Sequence, residues 1–173
     1  MHNEKLGFNS LLIHGGIEPD PMGSATVPIY QTSTFAFENA DEGAKCFAGE
    51  SDGYIYTRIG NPTISALERQ VAILENGYGG IATASGMGAV SSIYMAFLKA
   101  GDHIVSTDAV YGPSRGIMET YFKRFGVEST YIDTSKLENI EAAIKPNTRL
   151  LYLESPTNPT MVITDINSLG ISP

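Results

Sequence analysis

The stretch Gly79-Gly80-Ile81-Ala82-Thr83-Ala84-Ser85-Gly86-Met87-Gly88-Ala89 decides how the rest of the chain is read. Its first half is short, small and apolar, which predicts a buried strand over 80–84 against which another layer packs closely. Gly86 and Gly88 predict a sharp turn where backbone approaches a ligand with no Cβ in the way. From Met87 the apolar positions follow helical spacing through Val90, Ile93, Tyr94, Phe97 and Leu98, so a helix is expected over 87–99. That helix aims its free N–H groups, and the positive end of its dipole, into the turn. An anion suits such a place, and phosphate most often fills it. A plain strand–turn–helix connection is the alternative reading of these residues alone.

Downstream the pattern alternates. His103 to Thr107 reads as a strand, followed by a loop, Asp108 to Pro113, and a helix to about Arg124 that Gly126 ends. Val127 to Ile132 is the next strand. Ser135-Lys136-Leu137-Glu138 fits a capping box for a helix over 136–144. Arg149 to Glu154 is the last strand. Strands alternating with helices imply a parallel sheet covered on both faces, with ligands bound beyond the carboxyl ends of the strands. The loops at Ser85-Gly86-Met87-Gly88, Asp108 to Gly112, and Glu154-Ser155-Pro156-Thr157-Asn158-Pro159 then share one rim.

Upstream, residues 1–36 show little periodicity and read as an irregular arm lying on something else, a partner subunit being one candidate. A short helix is expected from about Asn39 to Phe47. The loop Tyr54-Ile55-Tyr56-Thr57-Arg58-Ile59-Gly60-Asn61-Pro62 is rich in aromatic residues, and Tyr56 and Arg58 offer a hydroxyl and a guanidinium to a phosphate. A helix over 63–75 follows, burying Leu67, Val71 and Leu74, and Asn76-Gly77 closes it.

The chain has 173 residues and a formal net charge of −8, which argues against nucleic acid or an anionic membrane as partner. A single cysteine, Cys46, excludes an internal disulfide and points to a reducing, cytoplasmic setting. No apolar run approaches the roughly 20 residues of a membrane span, and the histidines His2, His14 and His103 have no metal-ligand spacing with Cys46, so no metal site is read. A dinucleotide fold is the rival: Gly86-x-Gly88-x-x-Ser91 with Asp108 imitates its fingerprint, but Ser91 stands in the third glycine's place.

The motifs in their order resemble the pyridoxal-phosphate enzymes of cysteine and methionine metabolism, the trans-sulfuration family. They are Pro28 to Phe35, Tyr54-x-Tyr56-x-Arg58-x-Gly60-Asn61-Pro62-Thr63, Ser85-Gly86-Met87, Tyr111-Gly112, and Ser155-Pro156-Thr157-Asn158-Pro159. The resemblance covers about residues 7–166. It is greatest to the methionine gamma-lyase branch, with cystathionine gamma- and beta-lyases, cystathionine gamma-synthase and the O-acylhomoserine sulfhydrylases close by. Pro113 departs from that branch, which carries a cysteine just after the Tyr-Gly pair.

The resemblance implies an α/β cofactor domain of the aspartate aminotransferase type (fold type I), incomplete, with an irregular N-terminal arm. The implied layout is an arm and inter-subunit segment over 1–62, a partial cofactor domain over 63–166, and an atypical tail over 167–173. It implies pyridoxal 5'-phosphate as cofactor, a sulfur-containing amino acid as substrate, and a homo-oligomer, a dimer of dimers. Ser85, Gly86 and Met87 would bind the cofactor phosphate, while Tyr56 and Arg58 would reach the phosphate of the neighbouring subunit's cofactor. Tyr111 would stack on the ring and assist proton transfer, Asn158 would bond the ring's phenolic oxygen, and Glu154 would support that site from behind. None of Lys5, Lys45, Lys99, Lys123, Lys136 and Lys145 matches the family's Schiff-base lysine. The expectation is therefore a catalytically incomplete chain, with a non-catalytic remnant that binds a partner as the alternative of another class.

Overall fold

The structure is a computed structural model and describes residues 6–170; Lys5 lies outside them. The chain divides into two compact units at Ala82/Thr83.

The first unit opens with helix α1, Phe8–His14, where an irregular arm was expected. Its C-terminal end meets α3, Pro62–Leu74, through Gln70, whose Nε2 donates to the Leu11 carbonyl at 2.7 Å. Gly16 makes the approach possible. It sits at φ +69°, and a Cβ there would lie 2.7 Å from the Gln70 nitrogen. The face of α3 that is buried therefore carries Ala66, while Leu67 and Val71 stay exposed, contrary to the expected Leu67–Val71–Leu74 core stripe. Asn76 closes α3 in the left-handed conformation at φ 51°, and Gly77 donates to the Ala72 carbonyl at 2.8 Å. Helix α2, Ala40–Ala48, starts on Asn39, whose side chain accepts from the Glu42 amide.

The second unit is built on three parallel strands, β1 His103–Thr107, β2 Glu128–Ile132 and β3 Thr148–Tyr152, in the order β2-β1-β3. Its helices are α4 Gly86–Phe97, α5 Gly112–Ile117 and α6 Leu137–Ala143. Every residue of β1 is buried. With crossovers of constant hand, the step from β1 to β2 and the return past β1 to β3 put α5 and α6 on opposite faces. On one face Ile104, Leu150 and Tyr152 pack with Tyr94 of α4, with Leu98 just past its end, and with Met118 and Phe122 beyond α5. Tyr94 is the hub, with edge-on contacts to Phe122 and Tyr152 at centroid distances of 5.6 and 5.2 Å.

Three expectations are corrected. Residues 80–84 form no strand: no ladder partner reaches them among the described residues, and Ile81 is 90 % exposed. A strand is made by its neighbour, which composition alone does not supply. The single helix expected to Arg124 is composite, with a π-helical turn over Met118–Phe122 and a 3₁₀ turn over Lys123–Phe125. Met118 and Phe122 both lie in the core. The capping box does not form, because Ser135 gives both its amide and its hydroxyl to the Asp133 carboxylate, so α6 starts without a side-chain cap.

Candidate functional site

Ser85 is the N-cap of α4. Its backbone is extended and its Oγ accepts from the Gly88 amide at 3.0 Å. Thr83 braces the same turn by donating its hydroxyl to the Ser85 carbonyl at 2.8 Å. The amides of Gly86 and Met87, the first two of the helix, have no acceptor among the described residues. A Cβ built on Gly86 meets nothing within 4 Å, so this helix end is open to an incoming group. Met87 is tied to the next loop: the buried Ser114 donates its hydroxyl to the Met87 sulfur at 3.8 Å. Ser114 lies in the first turn of α5, directly after Tyr111.

Tyr111 follows β1 and Asn158 follows β3. Because β1 and β3 are neighbours, their loops meet, and Glu154 joins them. One carboxylate oxygen accepts the Tyr111 amide at 2.8 Å and the other accepts the Asn158 amide at 2.7 Å. Tyr111 is 45 % exposed and Asn158 is exposed, so both residues are presented at the rim while their backbones are held. With both oxygens accepting, Glu154 bridges the backbones of the two loops.

Tyr56 and Arg58 lie in the first unit. Their loop is sewn to residues 28–35 by an antiparallel bridge between Thr34 and Tyr56, and by the Asn61 amide group, which donates to the Tyr30 carbonyl at 2.9 Å and to Thr57 Oγ1 at 3.0 Å. Thr57 donates its hydroxyl to the Thr32 carbonyl. Arg58 is exposed and lies over the Tyr56 ring, 4.8 Å from its centre.

Among the described residues no group of three or more His, Cys, Asp or Glu could hold a metal ion, and no helix is long and apolar enough to cross a membrane. Two features escaped sequence reading, a run of hydroxyl contacts under the Asn158 loop and the buried His103. The His103 ring reaches Thr148 at 2.7 Å and Thr130 at 2.8 Å, one on each neighbouring strand.

Residues 9–170 match the family described as Cys/Met metabolism PLP-dependent enzymes. The chain belongs to that family. It is 48 % identical over 170 residues to the L-methionine gamma-lyase of Fusobacterium nucleatum, covering 98 % of this chain and 43 % of that protein. Against the cystathionine gamma-lyase of Bacillus subtilis the identity is 46 % over 162 residues, 93 % of this chain and 40 % of that protein. The crystal structure of metB from Corynebacterium glutamicum superposes with a TM-score of 0.88 at 44 % identity, covering 98 % of this chain and 42 % of that one. An O-acetylhomoserine (thiol)-lyase from Campylobacter jejuni, solved with N'-pyridoxyl-lysine-5'-monophosphate, gives 0.88 at 33 % identity, covering 95 % and 41 %. The chain thus spans about two-fifths of the length of these members of the Cys/Met metabolism PLP-dependent family. The expected fold class holds: this is a partial α/β domain of the pyridoxal-phosphate type with a small parallel sheet.

Proposed function

We propose that these residues form the phosphate-binding and ring-binding side of the cofactor site of a carbon–sulfur lyase, acting on a sulfur-containing amino acid by elimination at the γ carbon. The observation that carries this reading is the joined rim: an open helix end at Gly86-Met87 linked through Ser114 to the Tyr111 loop, and that loop clamped to Asn158 by Glu154. The donor set fits pyridoxal phosphate. Two free amides at a helix N-terminus suit its phosphate. The Ser85 hydroxyl, which accepts from Gly88, still has a proton to give the same group. The exposed Tyr111 ring offers a flat face for the pyridine, and the Asn158 amide group offers a donor to its phenolic oxygen.

When bound, pyridoxal phosphate draws electrons from the substrate's α carbon. This chain holds the ring in orientation with Tyr111 and Asn158, and Tyr111 Oη moves a proton at the departing sulfur. Tyr56 and Arg58 clamp the phosphate of a neighbouring subunit's cofactor, which makes the working protein a homo-oligomer; a dimer of dimers in the cytoplasm is the form proposed. Support for the inter-subunit role is the exposure of both side chains on a loop whose backbone is fixed. Cystathionine gamma-lyase chemistry is the second reading, favoured by the close identity to the Bacillus subtilis enzyme.

The test is titration of the 173-residue chain with pyridoxal phosphate, followed by an assay for 2-oxo acid from L-methionine and from cystathionine. Saturable binding without turnover is expected, because a surface lysine is protonated at neutral pH and is a poor nucleophile. Turnover by these residues alone would mean that one of their own lysines serves the cofactor. Joined to the remaining sequence of a relative, the chain should turn over methionine; an inactive but folded fusion would favour the non-catalytic remnant.

A further inference from the structure

The loop that presents Asn158 is shaped by hydroxyls. At its base, Ser155 Oγ donates to the Thr164 carbonyl at 3.1 Å and accepts the Thr164 amide at 3.0 Å. Within the loop, the fully buried Thr157 accepts the Val162 amide on its Oγ1 at 2.9 Å and pairs with Thr160 at 2.8 Å. A further bond leaves the loop. Thr164 Oγ1 meets Thr134 Oγ1 at 2.6 Å, with the two residues 4 % and 2 % exposed. Thr134 belongs to the turn after β2, outside every motif of the family resemblance.

We propose that Thr134 is a positioning residue for Asn158, acting through this buried hydroxyl pair. The proposal rests on the reading of Asn158 as a cofactor ligand. Glu154 fixes the Asn158 loop to the loop after β1, and Thr134 fixes its returning arm to the loop after β2. The loops after β1 and β2 are thereby both tied to the loop after β3. Valine would fill the space of either threonine, so volume does not explain the pair. A hydroxyl pair adds direction: it holds one rotamer on each side, and with it the place where the loop re-enters the sheet rim.

The experiment is amide hydrogen exchange by NMR on the full 173-residue chain, comparing Thr134→Val, Thr134→Ser and the double variant Thr134→Val/Thr164→Val. Thr134→Val leaves a buried hydroxyl unpaired, so the Asn158 and Val162 amides should exchange roughly tenfold or more faster while Val105 in β1 is unchanged. Thr134→Ser should restore protection. The double variant should regain overall stability and still exchange fast at Asn158. Unchanged exchange at Asn158 in Thr134→Val, an equal rise at Val105, or normal exchange in the double variant would each overturn the proposal. Pyridoxal phosphate titration of the same variants separates the two readings. Fast exchange at Asn158 with unaltered affinity would remove Asn158 as a ligand and leave the Thr134 contact standing.

Discussion

In the unit from Thr83 onward, the site loops are fixed by side chains that reach across strands. Glu154 serves two loops at once, and the residues it positions face solvent over a packed core around Tyr94. In the unit ending at Ala82, the loop with Tyr56 and Arg58 is fixed as firmly, through the buried Asn61 and backbone bonds to residues 33–35. Its charged side chain, however, rests on the Tyr56 ring, with no ion pair among the described residues. The first arrangement is held by contacts within the chain; the second side chain is offered outward. Preorganised groups lose little freedom on binding, whereas an exposed arginine is ordered by what it meets.

That contrast can be broken most severely at the core. Tyr94→Ala removes a residue only 2 % exposed and should destabilise the second unit by about 3–5 kcal/mol in urea unfolding. Arg58→Ala should leave the urea midpoint of the chain where it was. In an assembled full-length enzyme it should weaken pyridoxal phosphate binding by on the order of 2–5 kcal/mol, read by titration. A shifted midpoint with unshifted affinity would reverse the assignment of the two regions. Glu154→Gln keeps one acceptor oxygen and puts a donor opposite the other amide. Because both amides are near solvent, the expected loss is about 1–2 kcal/mol, with faster exchange at Tyr111 or Asn158 rather than throughout the sheet.

The smallest effect is expected at His103. Burial first, and then Lys145, lowers its pKa below the ordinary 6.5, with Glu128 opposing. A histidine held neutral in the fold binds fewer protons than in the unfolded chain, so its contribution is complete above 6.5 and is lost as pH falls below that value. Urea midpoints measured from pH 7.5 down to about 5 should decline, and His103→Asn should flatten the decline. A slope that survives the substitution would assign it to other groups.

The parts of this architecture legible in the sequence are those with local causes. The start of α4 could be read from the helical spacing of apolar residues that begins at Met87, and β1 from its place between two helical stretches. The segment 80–84 has strand-like composition but no neighbour, and pairing is not written in composition. Ser135 stood at the right spacing for a cap, yet Asp133 was nearer and took its hydroxyl. The Thr134–Thr164 pair spans 30 positions with no periodic mark, so only the folded chain brings it to view. Of the site, the types of group at the strand ends were readable; the double use of Glu154 was not, because it depends on β3 lying beside β1.

The Glu154 clamp also sets a schedule. The Tyr111 amide and its acceptor are 43 positions apart. At a synthesis rate of about 5–20 residues per second, the Tyr111 loop leaves the ribosome roughly two to nine seconds before the carboxylate that will hold it. During that interval β1 has no β3 beside it and the rim does not exist. The two loops can be joined only after β3 lies beside β1 and brings Glu154 within reach of both amides.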